Sequence, residues 1–332
     1  MAGLAHRQIQ YGSESELQLV DVWERPAAER EAAATSSRYW FIYIHGGAWR
    51  DPRCLTDTAV PAINRLLAAD SPYLDRSRIA GFASIGYRLS PHPEFPQDAA
   101  TTPADKLRVA RHPDHIRDVR AGLTALTKDG AASGSPADYL AHDRYIVYGH
   151  SCGAFLAYQL WTEATGGSSS SSSSEKDKDR QPPCIVGLEG IYDLRGFVER
   201  GGSPEHGGGP GTGFAAALET IAEGAFGDDR AVWDRASPAR YDFANMRGSG
   251  SAPRGPLKPR LAVLAYSPED ELVDGGEMDS METALQQGAA QSSGGLVYVG
   301  LRDLHGRHDE IHEDGREVAR VLTEAVRQLD QL

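Results

Sequence analysis

A doubly wound α/β fold, with a mainly parallel sheet and helices on both faces, is what this 332-residue sequence predicts. Three observations predict it. Strand-like and helix-like segments alternate along the chain. The strand Tyr39-Trp40-Phe41-Ile42-Tyr43-Ile44 is a continuous aromatic and β-branched run, which calls for burial on both faces. The pentapeptide Gly149-His150-Ser151-Cys152-Gly153 lies between a strand, Tyr145 to Tyr148, and an apolar run with helical spacing. With 40% hydrophobic residues the chain can bury one large core, and residues 1–332 are read as a single domain.

The elements follow in order. Leu17 to Trp23 alternates loosely and predicts an early strand near a sheet edge. Residues 26–37, rich in Ala, Glu and Ser, form a surface connection. Arg38 to His45 is the strong strand, and it empties into His45-Gly46-Gly47-Ala48-Trp49. Val60, Ile63, Leu66 and Leu67 give 56–69 a helical period, and 79–87 is the next strand. Pro91, Pro93, Pro96 and Pro103 mark an irregular segment. Residues 113–128 form an amphipathic helix with Ile116, Val119, Leu123 and Leu126 on one face.

After the pentapeptide and its helix comes a Ser-rich stretch, 166–183, with seven consecutive serines and a charged run. It cannot bury enough apolar surface to offset its ordering entropy, so it reads as a disordered insertion. Strand–helix alternation resumes at 185–188. A Gly-rich loop at 201–213 and a helix at 214–225 belong to an excursion, 195–235, over the C-terminal edge of the sheet, where lids and pockets form. Strands at 261–266 and 296–300, with helices at 277–287 and 313–329, complete the chain.

Composition excludes several function classes. Acidic residues outnumber basic ones, 47 to 34, for a net charge of −13. Without a Lys/Arg cluster such a chain is a poor partner for nucleic acid or an anionic membrane. Cys54, Cys152 and Cys184 are few, odd in number and far apart. That pattern argues against a disulfide framework or a zinc site and for a reducing compartment. The first residues are polar, with no secretory h-region, and no run of 18 apolar residues exists, so the expected location is cytoplasmic.

The chemistry-bearing residues all follow strands. In a G-x-S-x-G elbow the serine sits on a strained turn with its hydroxyl exposed, and small neighbours let strand and helix pass closely. Ser151 is therefore the candidate nucleophile. A serine needs a base, and the base needs an orienting acid, in chain order Ser, acid, His. The strand at 261–266 ends in Ser267-Pro268-Glu269-Asp270-Glu271-Leu272-Val273-Asp274, and the next in Leu304-His305-Gly306-Arg307-His308-Asp309. Asp270 is the preferred acid, because an Asp-x-Leu-x-Asp run aims its first carboxylate at the histidine and buries the leucine. Glu269, Glu271 and Asp274 are then solvated loop charges. His305 and His308 compete as base. The amides of Gly46, Gly47 and Cys152 are candidate oxyanion donors, since two glycines let backbone N–H groups face a developing negative charge. His150 is a filler position.

His45-Gly46-Gly47-Ala48-Trp49-Arg50-Asp51-Pro52 resembles the HGGxW signature of the fungal kynurenine formamidases (arylformamidases). Tyr87-Arg88-Leu89-Ser90-Pro91 resembles the wider hormone-sensitive-lipase-like esterases of the α/β-hydrolase fold, where HGGG is usual. The resemblance runs from about His45 to the closing helix and is broken by the poly-Ser tract. It implies Ser151 as nucleophile, Asp270 as acid and His308 as base, with His308-Asp309 and Gly315 at the family's spacing. It implies hydrolysis of N-formyl-L-kynurenine in tryptophan catabolism toward NAD, with no metal or organic cofactor and a possible homodimer. Trp49 would offer the substrate's aromatic ring a flat wall, core packing being its bland alternative. The competing enzyme reading is a carboxylesterase acting on short acyl esters. A catalytically dead hydrolase fold acting as a scaffold is a third, opposed by the intact Ser, Asp and His candidates.

Overall fold

A computed structural model describes residues 3–26, 37–130, 134–161, 181–204, 207–245, 259–292 and 295–332. The Ser-rich insertion expected at 166–183 lies outside the described residues except for 181–183, as does most of the connection at 26–37.

The eight strands are β1 (Ala5–Gln10), β2 (Leu19–Glu24), β3 (Tyr39–Ile44), β4 (Ile79–Ile85), β5 (Tyr145–His150), β6 (Cys184–Leu188), β7 (Arg260–Ala265) and β8 (Leu296–Leu301). They form one sheet in the order β1-β2-β4-β3-β5-β6-β7-β8. From β4 to β8 every pairing is parallel, while β1 and β2 join antiparallel. All six residues of β3 are buried, as its unbroken apolar run demands. Trp40, Ile42 and Ile44 enter the core on one face, and Phe41 and Tyr43 the core on the other. The strand period of two thus feeds two separate apolar layers.

Helix α1 (Val60–Leu67) covers the second layer with Ile63 and Leu66, joined there by Val318, Val321 and Leu322 of the closing helix, Arg316–Leu329. Helix α2 (Asp114–Lys128) covers the first layer with Ile116, Val119, Leu123 and Leu126, the face its sequence period predicts. Helix α3 (Pro136–Ala141) precedes β5, and α4 (Cys152–Gln159) follows it with all eight residues buried.

The fold departs from expectation at the edge. The expected early strand at 17–23 is β2, one in from the edge, and the edge itself is β1, whose sequence AHRQIQ has no apolar run. Polar side chains there find partners across the hairpin: His6 stacks on Trp23 at 5.1 Å, and the Arg7 guanidinium donates to Glu24 at 3.1 Å. An exposed edge strand needs only a partner, not a buried face.

The excursion at 195–235 is helical: α5 (Leu194–Arg200), α6 (Gly213–Phe226) and α7 (Arg230–Ala236). Leu218, Phe226 and Trp233 join the first apolar layer. Beyond it lie α8 (Gly275–Gln291), α9 (His308–Asp314) and α10 (Arg316–Leu329). No helix among the described residues is long and apolar enough to cross a membrane.

Candidate active site

The turn between β5 and α4 is a tight steric construction. Ser151 adopts φ 56° and ψ −127°, a region costing about 1–3 kcal/mol for a residue with a side chain. The strain is held by close packing around it. A Cβ on Gly149 would lie 2.3 Å from the Gly153 carbonyl, and one on Gly153 would lie 2.2 Å from the Ile44 carbonyl oxygen. Neither position can carry a side chain without parting β3, β5 and α4. The Ser151 amide donates to the Leu188 carbonyl at 2.9 Å, tying the turn to the end of β6.

The loop after β3 faces this serine. Gly47, Ala48 and Trp49 all have positive φ, 89°, 50° and 60°. A Cβ on Gly47 would also sit 2.7 Å from Cβ of Cys54. Two anchors hold the curl. The Tyr87 hydroxyl donates toward the carbonyls of His45 and Gly46, at 3.0 and 3.1 Å. The Trp49 amide donates to Cys152 Sγ at 3.2 Å. In a planar trans peptide C=O and N–H point oppositely, so pinning those carbonyls turns the Gly46 and Gly47 amides away from Tyr87. No hydrogen bond among the described residues takes up the Gly47 amide. The Cys152 amide opens α4, where first-turn amides lack intrahelical partners. The Cys152 thiol is fully buried, which pushes it up to about 11 and leaves it an unreactive packing group. His45 stacks on Tyr87 at 4.1 Å, and burial lowers its imidazole to about 4, so it is neutral.

Asp270 and His308 meet. His308 Nδ1 lies 2.7 Å from Asp270 Oδ2, and both are buried. Asp270 Oδ1 accepts the amides of Leu272 (2.8 Å) and Val273 (2.9 Å). Burial alone would lift the Asp270 carboxyl, but the His308 charge and these hydrogen bonds outweigh it and hold it below the ordinary carboxylate value. Burial likewise works to lower His308, and the Asp270 carboxylate overcomes it, leaving the imidazole above its ordinary 6.5. His305, the competing base, is 81% exposed and among the described residues approaches only Glu269, at 3.4 Å.

His150 is no filler. Its ring stands between His308 (centroids 4.6 Å) and His312 (4.7 Å), and Nε2–H donates to the His308 carbonyl at 3.0 Å. Glu271 accepts the His308 amide at 3.1 Å. The backbone of His308 is thus clamped from both sides. Glu271 and Asp274 are therefore not solvated charges: Asp274 is buried, caps α8 through the Gly276 amide and pairs with Arg200 at 2.7 Å. Only Glu269 is exposed. Within Asp270–Asp274 the buried apolar residue is Val273, whereas Leu272 is half-buried and faces the cavity.

Ser151, His308 and Gly46 share a cavity of about 310 Å³ with Gly47, Arg50, Glu94, Leu272 and Asp309. That is the lower end of the range for small-molecule sites. Among the described residues, no hydrogen bond joins Ser151 to His308; such contacts often tighten only when substrate is bound. Trp49 is not a wall of this cavity. It is 0% exposed and packs edge-on against Phe155 (5.4 Å) and Phe226 (5.0 Å). The positive φ at 48 and 49 turns its ring into the core, and the flat surfaces facing the cavity are the imidazoles of His92, His150, His308 and His312. No described residue of 195–235 lines it, and Leu218, Phe226 and Trp233 of that excursion pack into the core. A larger hollow of about 730 Å³ around His305 and Gly306 holds neither Ser151 nor His308, and four carboxylates line it. Among the described residues no group of three or more His, Cys, Asp or Glu side chains is placed to hold a metal ion.

No family model matches the chain. It is 31% identical over 321 residues to a kynurenine formamidase-like hydrolase, fscH, of Fusarium equiseti, covering 96% of this chain and 92% of that protein. It is 33% identical over 278 residues to the kynurenine formamidase avaC of Aspergillus versicolor, covering 82% and 84%. Solved structures share the fold at low identity. A hyperthermophilic esterase of Pyrobaculum calidifontis superposes with a TM-score of 0.59 at 14% identity, over 99% of this chain and 87% of that one. Esterase B of Lactobacillus rhamnosis gives 0.58 at 14%, over 100% and 90%.

Proposed function

The chain belongs to the kynurenine formamidase family, amide hydrolases of the α/β-hydrolase fold, and on that premise we propose that it converts N-formyl-L-kynurenine to L-kynurenine and formate. The observation that carries the proposal is the Asp270–His308 hydrogen bond opening into the cavity that Ser151 and the Gly46–Gly47 loop share.

In this reading His308 takes the Ser151 proton as Oγ attacks the formyl carbon. The amides of Gly46, Gly47 and Cys152 hold the oxyanion, an interaction whose single donors are worth about 3–4 kcal/mol of transition-state stabilisation. The tetrahedral species collapses, the C–N bond breaks, and His308 returns the proton to the leaving aniline nitrogen. Water, deprotonated by His308, then attacks the formyl-serine ester and releases formate. Asp270 keeps the His308 tautomer and stabilises its charged form throughout. A formyl group is the smallest acyl group, and the cavity is correspondingly small. In the cell this reaction would serve tryptophan catabolism toward NAD precursors.

The cavity mouth supports a charged substrate end. Arg50 is half-buried and makes no ion pair within 4 Å among the described residues, though the charges of Glu94 and Asp51 act on it, and Glu94 and Asp309 share its cavity. A cation beside two carboxylates matches the carboxylate and ammonium of an α-amino acid. Arg50→Gln is expected to raise KM for N-formyl-L-kynurenine by about ten- to a hundredfold, the worth of one charge-assisted hydrogen bond, with kcat little changed. Turnover of neutral p-nitrophenyl acetate should not respond, and steady-state kinetics on both substrates checks this.

The second reading is a carboxylesterase, favoured by the esterases among the solved neighbours. Formate release from N-formyl-L-kynurenine measured beside p-nitrophenyl acetate hydrolysis decides between them. Ester turnover without deformylation would exclude the first reading.

A further inference from the structure

Behind the Asp270–His308 pair lies a second carboxyl group, Glu189, that the mechanism above does not use. It follows β6 directly, is fully buried, and holds φ 47°, a strained value for a residue with a side chain. Its neighbour Leu188 accepts the Ser151 amide, and its own amide donates to Ala265 at 3.0 Å. It therefore stands between the serine turn and the acid loop. Its side chain bridges to that loop: Oε1 accepts the Ser267 amide at 2.8 Å, three residues before Asp270, and the carboxyl group faces that of Asp270, with Oε2 buried and without a donor among the described residues. Ser267 continues the chain, donating through Oγ to the Gly306 carbonyl at 2.7 Å, two residues before His308.

Two buried carboxyl groups that face each other can share a hydrogen bond, rather than repel as two anions, only if one carries a proton. The geometry says which. Asp270 accepts from His308 and from two backbone amides, all of which favour its ionised form. Glu189 accepts one amide, and its other oxygen, Oε2, has no donor among the described residues. An ionised Glu189 would leave that buried oxygen unpaired against the Asp270 carboxylate. A protonated one has a donor aimed at it. Burial, and then the Asp270 charge, push the Glu189 carboxyl well above the ordinary range, in agreement.

We propose that Glu189 is a positioning residue of this active site: a neutral carboxylic acid that donates to Asp270 and so fixes the carboxylate that orients His308. The inference rests on the Ser151–Asp270–His308 reading. Its use is geometric and electrostatic at once. Asp270 gains a fourth donor without a nearby cation that would cancel its effect on His308, and the loops after β6, β7 and β8 become one hydrogen-bonded unit. The titratable groups facing Glu189 are Asp270 and Glu271 from the β7 loop and the buried Tyr192 hydroxyl, with His308 on the far side of Asp270.

The test compares Glu189→Gln and Glu189→Met in the full chain, following kcat, KM and the acid limb of kcat/KM on N-formyl-L-kynurenine and p-nitrophenyl acetate. Glutamine keeps the donor toward Asp270 and the acceptor for Ser267 but cannot ionise. It should hold kcat within about threefold of wild type and leave the acid limb where it is. Methionine keeps the volume and removes the donor. It should lower kcat by on the order of ten- to a hundredfold, the scale of groups that orient a reacting ligand by one hydrogen bond, with KM unchanged. If Glu189 were ionised, glutamine would remove a negative charge near His308 and move the acid limb to lower pH. That shift, a fall of more than tenfold in the glutamine variant, or full activity in the methionine variant would overturn the proposal. The glutamine arm decides alone if the methionine variant does not fold. Ser151→Ala, run beside them, separates the two levels: wild-type turnover there sinks the triad reading and Glu189 with it, whereas a dead Ser151→Ala with a shifted Glu189→Gln profile sinks Glu189 only.

Discussion

Replacing Ser151 with alanine is expected to lower kcat by about six orders of magnitude on any substrate the chain hydrolyses, as loss of the nucleophile does in serine hydrolases that act through a triad. The residual rate would come from substrate binding and the oxyanion amides. Alanine at 151 removes one oxygen from a residue that is already strained and tightly packed, so the fold should survive with its thermal midpoint nearly unchanged. Turnover measured against the midpoint separates the chemical effect from unfolding. A fluorophosphonate probe is expected to label the wild-type chain at Ser151 and to leave the variant unlabelled. Labelling at another residue would show that the elbow is only a strand-to-helix turn.

Asp270→Asn carries the second large effect. The substitution keeps the shape of the side chain but removes the charge and puts an N–H where His308 Nδ1 now donates. The imidazole is then held in the wrong tautomer, which costs about four orders of magnitude in kcat in triads of this kind. The pH profile should move as well, and its sign follows from the two opposing influences on His308. A general base works when neutral, so activity falls as pH drops through its pKa. Burial lowers the His308 imidazole and Asp270 lifts it above its ordinary value, so the wild-type acid limb is expected above that of an ordinary histidine. With Asp270 neutralised, burial is left dominant and the limb moves to lower pH. Rates of the wild type and of this variant from about pH 5 to 9 show the displacement. An unmoved limb would mean that Asp270 does not set the charge state of the base.

What the sequence made legible was whatever local sterics dictate. Gly149 and Gly153 are where they are because no Cβ fits, and that requirement leaves its mark within five residues. The β3 run advertised two-sided burial, and Ile116, Val119, Leu123 and Leu126 advertised the buried face of α2. Asp270 was readable because its loop ends a strand in the required order. His308 and His305 could not be separated by the residues alone, since both follow β8 and only tertiary structure shows which faces Asp270. Trp49 misled for a related reason. Its place in the motif is adjacent to the site, but two left-handed residues turn its ring into the core, and backbone handedness at alanine and tryptophan leaves no sequence signal. His150 and Glu189 reach elements distant in sequence, His150 the His308 carbonyl and Glu189 the Ser267 amide of the acid loop, and neither has a local pattern to announce it. Strand β1 escaped because an edge strand needs only hydrogen bonds and paired polar side chains.

The central proposal is that deformylation runs through Ser151 with His308, oriented by Asp270, as its base. The most direct measurement is formate release from N-formyl-L-kynurenine by the wild type beside His308→Ala and His305→Ala. The account predicts turnover by the wild type, turnover by His305→Ala within about threefold of it, and a loss of about six orders of magnitude in His308→Ala. An inactive His305→Ala with an active His308→Ala, or a wild type that cleaves esters and releases no formate, would contradict it.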